Sequence, residues 1–336
     1  MHFLIIKFGA LGDVVRTSYF AKALKEKYGD SLRISWLTSN ESYSLIRFNP
    51  FIDDLWTDFC QASYFKFDHI FSLDDELEIL NNLNLLKTKK ITGAYLDSYG
   101  KPSYTEDSSS WFDMGLLSIF GKQKADYLKK INTYGHMEIF AKIFNVKNVE
   151  PNFYGNKIYE SWASNIIKQN FINIGINPFA GKRWPSKEIN IKELKLLILK
   201  ILNLSIDRPI NIILLGAGED YYKNKKIANS IKNKSLLVMH TDEYVLKIAA
   251  VVKFLNYLIS SDSLAMHLAI AQHVPTLCFF SPTSANEVDN FSYVKKVIST
   301  SIDYCSYEKN ADNSSITAYR LFEAFKEHVS LLGIIK

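Results

Sequence analysis

Apolar positions fall along the chain in two patterns: short continuous runs, and stretches that return to an apolar residue every three or four positions. The run over 3–7 (FLIIK) is too short for a signal peptide and is predicted to be a first strand. A tight glycine-containing loop over 8–12, an amphipathic helix over 13–28 and a strand over 32–37 follow, which makes a βαβ unit. Further strands are expected at 69–73 and 90–95, around a helix at 75–86 capped by Asp74 or Asp75. Residues 99–110 turn to Gly, Pro, Ser and Tyr and are expected to form a long functional or mobile loop.

A second series starts near Phe171. Strands are predicted at 172–177, 210–215, 236–239, 257–260 and 276–280, with helices at 191–204, 220–231, 244–252 and 263–272 between them. Asn190 and Glu193 look like a capping pair for the first of these helices. Strands alternating with helices imply parallel sheets and an α/β fold. Because the pattern restarts, two domains are expected, 1–155 and 156–316, with the boundary inside 151–161 and a final helix in 317–336 packing back on the first. A length of 336 residues, 47% of them hydrophobic, supplies two cores.

Charge narrows the partners. Forty Lys and Arg against 35 Asp and Glu leave a net charge of +5, too mild for a nucleic-acid-binding surface and compatible with phosphates or acidic sugars. The three cysteines, Cys60, Cys278 and Cys305, stand in neither metal-ligand nor redox spacing and predict no disulfide. No apolar run approaches the length of a membrane span. The expectation is a cytoplasmic protein, with peripheral contact at the inner face of the membrane left open.

Four segments carry candidate chemistry. Gly9, Ala10, Gly12 and Asp13 lie directly after the first strand, where ligands of open α/β sheets bind. The glycine spacing is not that of the dinucleotide fingerprint. Asp13 reads either as a first-turn carboxylate that stabilises its helix or as a general base taking a proton from an acceptor hydroxyl. The second segment, 177–185 (NPFAGKRWP), offers Lys182 and Arg183 to a diphosphate leaving group, or is a solvated basic turn; Trp184 is a packing anchor. The third, 260–267 (SSDSLAMH), puts Asp262 and Ser263 at a helix start, where free N–H groups suit phosphate, with His267 one turn on; an ordinary cap with a satisfied histidine fits as well. The fourth, 216–219 (GAGE), presents Glu219 to a ribose or base. No metal-ligand spacing, nucleophile elbow or P-loop is present.

Taken together and in order, FGALGDVVRTSYFAKALKEKY, NPFAGKRWPSKEI, LLGAGE and ISSDSLAMHLAIAQHVPTLCFFSPT resemble the family nine glycosyltransferases, the lipopolysaccharide heptosyltransferases. The resemblance implies a GT-B fold, two Rossmann-like domains with parallel sheets facing an interdomain cleft. It implies inverting, metal-independent transfer of heptose from the co-substrate ADP-heptose to a lipopolysaccharide core or related glycan or glycolipid acceptor, with no cofactor. By resemblance, Asp13 takes the place of the general base, Lys182 faces the donor diphosphate beside Arg183, Glu219 lies near the ribose, and Asp262, Ser263 and His267 belong to the donor site. Gly9, Ala10, Gly12 and Arg16 fall near the acceptor, with Arg16 and Arg47 the main basic residues of the first half. Leu264 stands where the family commonly has Gly. Two alternatives remain: a related transferase using another nucleotide sugar or another acceptor, and a nucleotide-sugar-binding protein without turnover.

Overall fold

The computed structural model describes residues 1–181, 184–240 and 245–335, and divides into two units. Unit 1 holds Met1–Tyr154 and Asn286–Asp289; unit 2 holds Gly155–Ala285 and Asn290–Lys336.

Unit 1 begins with β1 (His2–Ile6), α1 (Leu11–Tyr28), β2 (Arg33–Leu37), α2 (Asn40–Ile46), β3 (Asp54–Trp56) and α3 (Phe59–Ser63). It continues through β4 (Lys66–Phe67), β5 (His69–Ser72), α4 (Leu77–Asn82), β6 (Lys87–Thr88), β7 (Ile91–Leu96) and β8 (Pro102–Tyr104). Helices α5 (Ser109–Phe112), α6 (Lys122–Ile131) and α7 (His136–Ile143) complete it. The main sheet runs β3-β2-β1-β5-β7-β8, parallel except for the β7–β8 pair. Leu4 and Ile6 point into one core and Phe3 and Ile5 away from it, and all four are buried. Both faces of β1 are covered, which is why it reads as a continuous apolar run and not an alternation. The expected loop over 99–110 instead holds the edge strand β8, antiparallel to β7, followed by a short 3-10 turn. Its single apolar face and three-residue length hide it from periodicity.

Unit 2 is formed by α8 (Lys157–Ile166), β9 (Ile172–Asn177), α9 (Ile191–Leu202), β10 (Ile210–Gly216), α10 (Glu219–Ile231) and β11 (Leu236–His240). Then follow α11 (Val245–Lys253), β12 (Tyr257–Ser261), α12 (Leu264–Ala271), β13 (Thr276–Phe280), β14 (Val294–Ile298) and α13 (Ala318–Leu331). Its sheet runs β11-β10-β9-β12-β13-β14 and is parallel throughout. Alternate residues of β10 enter separate cores: Ile212 and Leu214 pack with α9 and α13, Ile213 and Leu215 with α8 and α11.

Three local expectations are corrected. Helix α13 belongs to unit 2 and not to the first domain: Leu321, Phe325 and Val329, four residues apart, enter the core of unit 2 with Ile198 and Ile201 of α9. Its His328 Nδ1 also meets the buried Tyr257 hydroxyl at 2.7 Å. Neither Asp74 nor Asp75 caps α4, whose N-cap is Glu76 without a side-chain bond, because Asp74 turns inward. Asn190 does cap α9, accepting from Lys192 N–H at 2.9 Å, but Glu193 accepts from Ala318 N–H at 2.7 Å and so ties the start of α13 to α9.

Candidate functional site

In each unit the strand order reverses at one point, where an open parallel sheet offers a crevice beyond its strand ends. In unit 1 this point lies between β1 and β5; in unit 2 it lies between β9 and β12. Both places carry polar side chains that bridge the diverging strands.

At the unit 1 switch point, Asp74, just past β5, pairs with Lys7 at the end of β1 and also accepts the Phe8 N–H. Burial works against the charge on Lys7, but the facing Asp74 carboxylate, with Asp13 beyond it, outweighs that and raises the ammonium above its usual value. The start of the β1–α1 loop is thereby fixed. Beyond it, the Gly9–Ala10 peptide is cis, and the space a Cβ on Gly9 would enter is open. Ala10 is the N-cap of α1 and has no side chain able to cap; Asp13, in the first turn, reaches back to its N–H at 3.4 Å. Gly12 is buried. The Asp13 side chain keeps 31% of its surface exposed and is oriented by Arg16 at 2.8 Å. Arg16 itself is buried, donates to the Glu287 carbonyl at 3.3 Å and lies 5.7 Å from the centre of the Trp111 ring. Its guanidinium is thus engaged with Asp13, and the exposed Arg47 stacks near Tyr43 and Phe48.

At the unit 2 switch point, Asn177, the last residue of β9, donates to Ser263 Oγ at 2.9 Å, across the gap to the end of β12. Ser263 is the N-cap of α12 by position, yet its side chain caps nothing: Oγ is taken by Asn177 and by Ser260 at 3.1 Å. The expected serine cap is therefore a strand-to-strand bridge. Asp262 lies beside it, with one carboxylate oxygen 2.7 Å from Lys187 Nζ and the other 3.9 Å from His267 Nε2. Burial alone would raise the Asp262 pKa; the Lys187 and His267 charges outweigh it and hold the carboxyl down at about 2. His267 is buried one turn into α12, and Leu264, half-buried, opens that helix. Lys182 and Arg183 lie outside the described residues. Trp184 precedes the 3-10 turn Pro185–Lys187.

Lys187 was not among the sequence candidates. It stands 75 residues from Asp262, and only the adjacency of β9 and β12 brings them together. The available signal was its place five residues after Lys182, in the same loop beyond β9.

Glu219 is exposed at the first position of α10, next to Gly218, whose φ of +52° favours glycine. A Cβ on Gly216 would come within 2.8 Å of the Asn224 side-chain amide and 3.1 Å of the Asp220 backbone, so a larger residue there would press on the start of α10. Asn224 donates to the Leu215 carbonyl at 3.0 Å and ties helix to strand. Below Glu219, Lys223 pairs with Asp220 at 2.9 Å and lies 3.6 Å from Glu188. Among the described residues no group of three or more His, Cys, Asp or Glu is placed to hold a metal ion, and no helix is long and apolar enough to cross a membrane.

Comparison with solved structures gives the fold its class. The chain superimposes on the glycosyl transferase family 9 protein of Veillonella parvula with a TM-score of 0.71 at 15% identity, covering 98% of this chain and 97% of that one. It matches the E. coli ADP-heptose lps heptosyltransferase II at 0.68 and 12% identity, over 99% of this chain and 100% of that one. The E. coli heptosyltransferase WaaC, solved with ADP-2-deoxy-2-fluoro heptose, matches at 0.64 and 13% identity, over 97% and 99%. Two Rossmann-like units with this likeness define a GT-B fold. A search of curated protein sequences finds no match. The model of glycosyltransferase family 9 (heptosyltransferase) matches residues 137–317, more than half the chain, and the protein belongs to that family.

Proposed function

We propose that this glycosyltransferase moves heptose from ADP-heptose to a lipopolysaccharide core or related glycan acceptor, with inversion and without a metal, at the inner face of the cytoplasmic membrane. The observation that carries the donor half is the convergence of Lys187, Asp262, Ser263 and His267 beyond β9 and β12, at the start of α12. A cation, a fixed carboxylate and helix N–H groups suit a nucleoside diphosphate and its sugar hydroxyls. In this reading Lys182 and Arg183 add positive charge to the leaving diphosphate, Glu219 takes the ribose, and no cofactor takes part. Asp13 accepts the proton of the acceptor hydroxyl; the hydroxyl oxygen bonds to the anomeric carbon as the bond to ADP breaks, and this single displacement inverts the configuration. The neighbouring residues admit the acceptor, Gly9 with open space where a Cβ would lie and Ala10 exposed beside it.

Leu264 favours a second reading. A leucine side chain at the first position of α12 narrows backbone access to a phosphate, which suits a family-nine transferase with another nucleotide sugar or another acceptor. Incubation with ADP-heptose, ADP-glucose, UDP-glucose and GDP-mannose, with core-glycan acceptors and product mass as readout, separates the two. Heptosylated product in the presence of chelator is the expected result. Transfer of a different sugar only, or activity restored by magnesium after chelation, overturns it, and donor binding without any product returns the protein to a non-catalytic role.

A further inference from the structure

Six of the large apolar side chains exposed on the described surface lie within residues 116–134 of unit 1: Leu116, Ile119, Phe120, Tyr127, Ile131 and Tyr134. Leu116 is 88% exposed and Ile119 72%, well beyond what scattered surface apolar residues need. Helix α6 follows directly. Ala125 is its only fully buried residue. At 100° per residue, Tyr127 and Ile131 share the solvent side of α6, with Lys124 on one flank and Lys130 on the other. Lys122 and Lys129 stand on the other side of the helix, Lys122 paired with Asp126 at 2.5 Å and Lys129 near the Asp75 carboxylate. The result is an apolar strip with cationic edges, continued by the apolar loop before it.

We propose that residues 116–134 form the surface by which this protein rests on an anionic lipid bilayer. The loop tip and the Tyr127–Ile131 strip enter the headgroup boundary, and the lysines meet anionic headgroups. A second copy of the chain fits less well, since a self-complementary contact would set lysines against lysines. At ten residues, four of them lysine, α6 lies on a bilayer and does not cross it. The inference rests on the proposed glycolipid acceptor for its purpose, while the surface itself is testable without transfer.

The test is co-sedimentation of the full chain with vesicles of phosphatidylglycerol and phosphatidylethanolamine, against vesicles of phosphatidylcholine, at low and high salt. The expected result is binding to the anionic vesicles that high salt weakens. A variant carrying Leu116→Ser, Ile119→Ser and Phe120→Ser, and another carrying Lys124→Glu and Lys130→Glu, should each lower the partition constant about tenfold or more. Both should keep the wild-type unfolding temperature and equal transfer to a delipidated acceptor. Absence of wild-type binding, unchanged binding by both variants, or a fall in oligomeric mass in place of vesicle binding would overturn the proposal. Vesicle binding by a protein that transfers no sugar would leave this surface standing and remove the proposed function.

Discussion

At the switch point of unit 1 the charged bridge is closed off, with Lys7 and Asp74 side chains 9% and 3% exposed, whereas at that of unit 2 Lys187 and Asp262 retain 15% and 16%. A buried pair spends most of its attraction on the loss of hydration, so its value lies in holding the β1–α1 loop in one place. The half-open pair keeps charge within reach of a ligand. Each unit thus sets a lysine and an aspartate across diverging strands, one pair closed off beside the β1–α1 loop and the other left partly open at the proposed donor site.

The comparison breaks most sharply at Asp13. Asp13→Asn is expected to lower kcat by about a hundredfold or more with donor affinity retained, since the proton-accepting carboxylate is lost while the donor side is untouched. Steady-state kinetics and an ADP titration check this, and unchanged kcat removes Asp13 from the chemistry. Next, Asp74→Ala leaves Lys7 buried without its partner and should cost roughly 3–5 kcal/mol in chemical denaturation. Lys7→Met in the same chain should restore a large part of that. A double variant no better than the single would show that the loop, and not the orphaned charge, sets the loss.

Asp262 tests the other switch point through pH. Its carboxyl lies at about 2 in the folded chain against an ordinary 3.8, so the folded state favours the ionised form. The contribution, on the order of 2 kcal/mol, is present above the ordinary value and lost as pH falls toward 2. Asp262→Asn should flatten that acid limb of the stability curve. A smaller effect is expected for Lys187→Ala, which removes a lowering charge and should move the acid limb of Asp262 upward while weakening ADP binding about tenfold. An unaltered acid limb together with unaltered ADP affinity would assign Lys187 to neither role.

The same division separates what was legible in the chain from what was not. The runs FLIIK and INIILLG mark strands because a sheet covered on both faces demands apolar residues at successive positions. Of the glycines of GAGE, Gly216 leaves little room for a Cβ and Gly218 takes a left-handed φ. Those demands act within a few residues and survive in a linear pattern. The edge strands β8 and β14, short or only partly buried, leave a weak one. Cap assignments failed where a better partner waited at long range: Asp74 left its helix start for Lys7, Ser263 for Asn177, and Glu193 for Ala318.

By itself, then, the order of residues determined the two alternating α/β series, the strand-end loops in which chemistry would sit, and the candidates Asp13, Glu219, Asp262, Ser263 and His267 inside them. Only the tertiary structure decided which side chains meet across the sheets, that α13 stays with unit 2, and that Lys187 belongs beside Asp262. The reason is one of range. Backbone preference and burial periodicity are local forces, whereas a contact between residues 75 positions apart exists only once strand order has placed β9 next to β12.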